Sequence, residues 1–234
     1  MVRKWMWRVA KVGMLLVFVI IVGLHVIDKW MYSEDAEIVE MFEGSGTEVS
    51  VDRKKTQAGN IRVVVEQVEE GDSTLIIFVH GAPGAFDAFK MYMLDDAMAK
   101  QGQLISYDRP GYSRGTKSTA SVTEQAEVLM SIVREYKLPE IVLVGHSYGG
   151  PIVAKCLSKY PMEVDKAVMI APVNDPDHEP MFWFSYFSKW KFSKWLLPNS
   201  FQVAGDEKFA HAQELKLMKS YKITILVSGE LNIH

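Results

Sequence analysis

The stretch VLVGHSYGGPIV, residues 142–153, places Ser147 between glycines at the end of an apolar run. Gly145, Ser147 and Gly149 form the pattern G-x-S-x-G, which is common by chance but acquires meaning from its position. A buried strand is predicted before it and a helix after it, and a sharp turn between them lifts a serine hydroxyl above the sheet edge. The following helix N-terminus favours developing negative charge. The stretch therefore indicates a nucleophilic serine.

Working outward from this turn, short apolar runs alternate with amphipathic segments. Strands are predicted at 61–68, 74–80, 103–108, 140–145, 166–171 and 222–229. Helices are predicted at 121–136, where Ser121 and Glu124 form a capping-box pattern, and at 149–160, which ends before Pro161. This alternation predicts an α/β fold with a mostly parallel sheet covered by helices on both faces.

Two further loops follow predicted strands. The segment HGAPGAF, residues 80–86, is a glycine-containing loop that can direct a backbone N–H towards an oxyanion beside the serine. The segment YDRPGYSRG, residues 107–115, follows the next strand.

Together, HGAPG, DRPGYSRG and GHSYGG resemble the α/β-hydrolase superfamily in order and approximate spacing, over roughly residues 61–232. The resemblance implies Ser147 as nucleophile of acyl transfer to an ester or amide, without cofactor or metal. It also implies an oxyanion hole made by the backbone N–H groups of Ala82 and Tyr148. HGAPG is similar to the HG-x-PG form of proline iminopeptidases and related esterases. A serine at the elbow, where epoxide hydrolases and haloalkane dehalogenases carry aspartate, favours acyl transfer.

Each residue also has a structural interpretation. Ser147 can be an ordinary turn residue, and His146 is expected to orient or pack because adjacent side chains diverge at such a turn. His80 is expected to brace its own loop. Asp108 and Arg109 are expected to pin the turn after their strand.

The acid and the base are harder to assign. Family members carry the acid after the next-to-last strand, where this chain has Asn232, and some carry it one strand earlier, which points to Asp175 or Asp177. The base histidine should follow a further strand, so His234 does not fit, and His178 and His211 require an unusual lid geometry. The sequence thus predicts a hydrolase shortened at its C-terminus, with weak labelling of Ser147 at most. A catalytically silent binding or scaffold domain at the membrane is the alternative.

The N-terminal segment predicts a membrane anchor. Nineteen residues from Val9 to Ile27 are almost entirely apolar, which gives about 28 Å of helix against a hydrocarbon layer of about 30 Å. Arg3, Lys4 and Arg8 precede the apolar core and acidic residues follow it, so the N-terminus is expected in the cytoplasm and the hydrolase domain outside it. A cleaved signal peptide is the competing interpretation. The predicted organisation is an anchor at 1–32, a tether and lead-in at 33–60 with at most a short strand, and the hydrolase domain at 61–234.

Residues 176–216 occupy the place of a cap over the active site. Trp183, Phe187 and Trp190 recur at helical spacing, with three lysines among them. The cap either packs over the core or also rests on the membrane surface, and both interpretations imply a substrate with apolar character. The net charge of −3 and the absence of a basic stripe in the sequence argue against nucleic acid as a partner. Cys156 is expected to be a buried core thiol.

Overall fold

A computed structural model of the chain describes residues 2–30, 32–66, 73–173, 185–190 and 192–218. Its described strands form one sheet in the order β1-β2-β4-β3-β5-β6. They are β1 (Val49–Thr56), β2 (Gly59–Glu66), β3 (Thr74–Val79), β4 (Gln103–Tyr107), β5 (Glu140–His146) and β6 (Lys166–Ile170).

The sheet is parallel in its centre and antiparallel at one side. Strands β4, β3, β5 and β6 are parallel neighbours, whereas β2 runs antiparallel to both β4 and β1. The predicted α/β fold with a mostly parallel sheet is confirmed. The predicted strand at 222–229 lies outside the described residues. Because β3, β4 and β5 are parallel, the loops after them, which hold the candidate site, meet at one edge of the sheet.

Helices cover both faces of the sheet, and one further helix, at the N-terminus, precedes the first strand. They are α1 (Val2–Trp30), α2 (Asp35–Glu43), α3 (Lys90–Met93), α4 (Asp96–Ala99), α5 (Val122–Tyr136), α6 (Gly149–Lys159), α7 (Ser185–Ser188), α8 (Ser193–Leu196) and α9 (Asn199–Met218), with a 3-10 turn at Phe86–Phe89. Ser121 caps α5 as predicted, since its side chain accepts from the Glu124 N–H. The Glu124 carboxylate accepts from the Thr119 hydroxyl.

Strand β3 shows why the central strands are continuous apolar runs. Leu75, Ile77 and Val79 pack with α5 and α6 on one face, and Ile76 and Phe78 pack with α2 and the 3-10 turn on the other. Side chains alternate across a strand, so a strand covered on both faces must be apolar at every position. Each such side chain contributes about 1.5–3 kcal/mol when fully buried.

The predicted tether at 33–60 has more regular structure than the sequence suggested. Residues 35–43 form α2. A capping box between Glu34 and Glu37 stabilises its N-terminus, and its Ile38 and Phe42 side chains are buried in the core. Strand β1 then pairs with β2 along its whole length. The sequence pattern indicated at most a short strand here, and α2 and the full length of β1 were missed, because each element exposes one polar face and that face dominates the local composition.

Helix α1 extends away from the sheet. From Arg3 to Lys29 it is long and apolar enough to cross a membrane, and none of its most apolar window is buried inside the protein. A signal sequence near an N-terminus has the same features. Length and composition thus support an anchor or a signal.

Candidate active site

Ser147 lies in the sharp turn between β5 and α6. Its backbone has a φ of +51°, the left-handed region that a non-glycine residue adopts at a cost. Three backbone hydrogen bonds hold this conformation. The Ser147 N–H donates to the Ile170 carbonyl at 3.0 Å, and the Ser147 carbonyl accepts from Gly150 at 3.0 Å and Val173 at 3.1 Å. The side chain is partly exposed at the sheet edge, as a nucleophile elbow requires.

The glycines around the turn are required by close backbone packing. A Cβ at residue 145 would lie 2.6 Å from the Gly149 carbonyl oxygen, and one at residue 150 would lie 2.5 Å from Cβ of Pro172. A Cβ at Gly81 would lie 2.9 Å from Cβ of Ser147. The loop after β3 thus packs directly against the serine, as the sequence predicted for an oxyanion loop.

His80 holds this loop from the buried side. Its Nδ1 is 2.7 Å from the Gly81 carbonyl oxygen, which can only accept, and its Nε2 is 3.0 Å from the Arg109 backbone N, which can only donate. The geometry therefore assigns the proton to Nδ1 of a neutral ring. Burial, aided by the charge of Arg109, lowers the pKa of His80 well below its usual value. His80 thus braces its loop, and both of its ring nitrogens are engaged in doing so.

The Gly81 carbonyl accepts a second hydrogen bond, from the Arg109 guanidinium at 2.8 Å. In the trans peptide between Gly81 and Ala82, the C=O and the N–H point in opposite directions. Since the carbonyl is fixed towards His80 and Arg109, the Ala82 N–H points away from them. The buried network therefore determines the direction of a candidate oxyanion donor.

Arg109 is in turn held by a residue of α9. Its guanidinium contacts both carboxylate oxygens of Glu207, at 2.5 and 3.2 Å. Arg109 is buried, as are the two further partners of this carboxylate, Gln125 and Tyr112. Gln125 and Tyr112 donate to the same carboxylate at 2.7 and 3.0 Å. Burial alone would lower the pKa of Arg109, but Glu207 raises it above its usual value. The cap helix is thereby linked to the candidate oxyanion loop.

Glu207 and Gln125 were not among the residues that the sequence singled out. The sequence pattern could have identified Gln125, because it lies beside Val122 and Ala126 on the apolar face of α5, where a polar residue needs a buried partner. No sequence pattern could have identified Glu207, because α9 has no clear apolar face that would distinguish a carboxylate facing the core from an exposed one.

Asp108 belongs to a separate network. It accepts from the Arg62 guanidinium at 2.7 Å and, through its other oxygen, from the Phe86 N–H at 3.0 Å. Burial raises the pKa of Asp108, and Arg62 opposes that shift. Asp108 and Arg109 thus both pin the segments around their turn, as the sequence suggested.

Tyr148 follows the serine directly and precedes α6. It is buried, and its hydroxyl donates to the Ala120 carbonyl at 3.1 Å. His146, on the other side of the serine, has an exposed side chain with its ring edge against Phe89, at 6.5 Å between ring centroids. This contact fits the packing role that the sequence assigned to it.

The remaining predicted acid and base positions cannot be placed. Asp175, Asp177, His178, Asn232 and His234 lie outside the described residues, as does the side chain of His211. Within the described side chains, the histidines are His25 in α1, the fully engaged His80, and His146. The structure thus brings together the serine turn and the candidate oxyanion loop, and none of these described histidines is placed as a base. Among the residues described, no cluster of His, Cys, Asp or Glu is placed to hold a metal ion.

The described part of the cap consists of two short helices and the start of a long one. The helical spacing of its aromatic residues predicted one continuous helix. The described residues instead form two short helices, because α7 ends at Ser188 and α8 begins at Ser193. Tyr186, Trp190 and Phe192 are each more than half exposed. These rings therefore form an apolar outer surface of the cap in addition to any packing over the core.

Comparison with known proteins identifies the class. The sequence profile of the alpha/beta hydrolase fold family matches residues 74–207, more than half of the chain and the whole of the elbow and both loops. The chain belongs to this family.

Its relatives have several activities. A probable 1-acylglycerol-3-phosphate O-acyltransferase of Oryza sativa is 27% identical over 141 residues, which cover 56% of this chain and 33% of that protein. A bifunctional esterase/perhydrolase of Acinetobacter calcoaceticus is 33% identical over 106 residues, 44% of this chain and 38% of that protein. The matched region thus spans little more than a third of each of these curated relatives.

Solved structures share the fold at lower sequence identity. The Cif epoxide hydrolase from Acinetobacter nosocomialis superposes with a TM-score of 0.57 at 13% identity, over 88% of this chain and 75% of that one. Identity at this level supports the architecture alone.

Proposed function

We propose that the chain is a membrane-anchored serine hydrolase that cleaves an ester or amide through an acyl-enzyme on Ser147. The observation that carries the proposal is the left-handed backbone of Ser147, at the end of a buried strand and against the Gly81 loop. A strained non-glycine residue is retained where function needs its side chain lifted from the sheet. The similarity to the esterase/perhydrolase supports acyl transfer.

The proposed reaction has two steps. The Ser147 Oγ bonds to the substrate carbonyl carbon while its proton passes to a base, and the alcohol or amine departs with a proton. Water then attacks the acyl-serine and releases the acid. The N–H groups of Ala82 and Tyr148 are the proposed donors to the oxyanion of both tetrahedral intermediates, and the N-terminus of α6 adds a favourable field.

We assign no residue of this chain as the base, and two histidines are candidates only through an unusual cap geometry. His178 and His211 belong to the cap region, and reaching the serine from there requires the cap to fold back over the sheet edge. Asp175, two residues after the end of the described β6 loop, is the proposed acid. Orientation follows from the charges around α1, with the N-terminus in the cytoplasm and the hydrolase domain outside it.

A fluorophosphonate probe tests the nucleophile. On the full chain, we expect slow covalent labelling that is abolished in Ser147→Ala and unchanged in Ser158→Ala, whose exposed serine lies on α6 away from the turn. Slow labelling is expected because no described histidine is available to take the proton, and removing a base costs orders of magnitude in rate. Loss of the residual rate in His178→Ala or His211→Ala would identify the base.

The alternative is a catalytically silent α/β-hydrolase domain that binds ligands at the membrane. It is favoured by the engagement of both His80 ring nitrogens in the loop, which leaves that histidine unable to act on the serine. Labelling equal in the parent chain and in Ser147→Ala, or no labelling after prolonged incubation, would favour this alternative over the hydrolase.

A further inference from the structure

The C-terminal end of α1, which joins it to the domain, lies at the same edge of the sheet as Ser147. A cavity of about 670 Å³ is lined by His25 and Asp28 of α1, by Gly84 and Ala85 of the loop after β3, by Gly111–Thr116 of the turn after β4, and by Asn199 and Ser200 at the start of α9. Gly84 packs against Gly81, which itself contacts the serine. The end of the candidate anchor thus faces the rim of the candidate active site.

The connection between α1 and the domain is too short and too firmly held to be a flexible linker. Only residues 31–34 separate the two helices α1 and α2. The ring of Tyr32 lies under two guanidinium groups, 3.7 Å from Arg114 and 4.5 Å from Arg62. Helix α2 follows at once and is fixed in the core through Ile38 and Phe42.

Ion pairs and hydrogen bonds add to this contact. The Ser33 carbonyl accepts from Arg62 at 2.5 Å, Glu34 pairs with Arg114 at 2.7 Å, and Asp35 pairs with Arg53 at 2.7 Å. Exposed pairs contribute little individually, about 0.2–1 kcal/mol. Arg62, in contrast, is buried, is held by Asp108, and contacts Tyr32, the Ser33 carbonyl and Asp35. We call residues 32–35 with Arg53, Arg62 and Arg114 the juxtamembrane clamp.

The cap lies on the same side as the clamp. Ser200, in the first turn of α9, hydrogen-bonds to Asp28 in the last turns of α1. Immediately before α9, the cap exposes Tyr186, Trp190 and Phe192. Aromatic rings with a polar edge are favoured at the lipid–water interface, and these rings are continuous along the chain with the segment that touches the anchor. The bilayer is therefore the surface that they are placed to meet.

We propose that the juxtamembrane clamp holds the serine-bearing edge of the sheet facing the bilayer, so that Ser147 acts on an amphipathic lipid ester taken from the membrane surface. The substrate part of this inference rests on the proposed hydrolase activity, whereas the orientation rests on the proposed membrane anchor and not on Ser147. A freely tethered domain would sample all orientations, and the clamp removes that freedom.

Two introduced cysteines measure the orientation in vesicles of phosphatidylcholine that hold the full chain. Phe192→Cys reports on the cap, and Met162→Cys reports on the opposite edge of the sheet, where Met162 is almost fully exposed before β6. The native Cys156 gives little background, because burial raises its pKa to about 12. With a fluorophore on each cysteine and brominated lipid as the quencher, we expect strong quenching at residue 192 and little at 162. Equal quenching at the two sites would overturn the orientation.

Charge variants test the clamp itself. Arg114→Glu places a second carboxylate beside Glu34 and removes one of the two cations over Tyr32, so quenching at residue 192 should fall. The double variant Glu34→Arg with Arg114→Glu restores opposite charges and should recover quenching. Arg134→Glu, which breaks an exposed pair with Glu163 remote from the clamp, should leave it unchanged. An Arg114→Glu chain with full quenching would refute the clamp.

A third measurement separates the substrate from the orientation. In the same vesicles, a fluorophosphonate with a long alkyl chain should label Ser147 faster than a short water-soluble one, whereas equal rates would contradict a lipid substrate. Quenching at residue 192 does not require Ser147, so Ser147→Ala should keep it. A quenched but unlabelled protein would therefore reject the hydrolase while retaining the orientation.

Discussion

Asp108 and Arg109 are neighbours in sequence and both fully buried, yet they serve two separate networks. Asp108 pairs with Arg62 and thereby supports the side that receives α1, whereas Arg109 pairs with Glu207 and orients the Gly81 peptide beside the serine. The turn after β4 thus has one half beside the candidate anchor and one half beside the candidate active site. Adjacent residues at the end of a strand can point to opposite sides, and here each side has its own buried network.

The largest expected effect comes from Asp108→Ala. It leaves the Arg62 guanidinium buried without its main counter-charge and removes the acceptor of the Phe86 N–H, so the free energy of unfolding should fall by about 3–5 kcal/mol. Denaturant unfolding of the full chain in detergent measures this. Asp96→Ala, at an exposed site in α4, is the control and should change stability by no more than about 0.5 kcal/mol. Equal losses of stability in both variants would contradict a specific stabilising role of the buried Asp108–Arg62 pair.

Glu207→Gln should have a smaller effect on stability and a specific one on the site. The amide oxygen still accepts one of the hydrogen bonds, so we expect a loss of about 2–3 kcal/mol. Because Arg109 then holds the Gly81 carbonyl less firmly, the rate of Ser147 labelling should fall about tenfold, less than the roughly hundredfold cost of losing an oxyanion donor.

The control for this rate, measured in detergent, is Arg134→Glu, which breaks an exposed ion pair with Glu163 near the C-terminal end of α5. It should label at the rate of the parent chain. A Glu207→Gln protein that remains folded and labels at the parent rate would show that the cap does not act on the oxyanion loop.

The smallest expected effect is on the pH dependence of stability. The pKa of folded His80 is lowered by burial and by Arg109, with His146 as a further facing group, so the unfolded state binds the additional proton. Stability is therefore expected to fall as the pH drops below about 6.5, by up to about 1.4 kcal/mol per pH unit, until the folded ring also titrates. His80→Asn should flatten this slope between pH 6.5 and 5. An unchanged slope in His80→Asn would contradict a neutral, buried ring.

The sequence predicted those features that depend on local pattern. The strands β3 and β5 were predicted from continuous apolar runs, because a strand covered on both faces leaves no polar positions. The turn at Ser147 was predicted from its glycines, because backbone packing there excludes any Cβ.

What the sequence could not predict depends on pairing across the chain. The Arg109–Glu207 pair joins residues 98 positions apart, and nothing in the composition of α9 distinguishes Glu207 from the other acidic residues of that helix. Likewise, the acidic run after α1 was interpreted as a solvated tether, because its partners Arg53 and Arg114 lie in a strand and a loop that meet it only in the folded protein.

A structure of the fluorophosphonate adduct tests most directly whether Ser147 is a nucleophile whose oxyanion is bound by backbone N–H groups. We predict one adduct, on Oγ of Ser147, with a phosphonyl oxygen about 2.7–3.1 Å from the backbone nitrogens of both Ala82 and Tyr148. An adduct on another residue, or an oxygen turned away from both nitrogens, would contradict this role of Ser147.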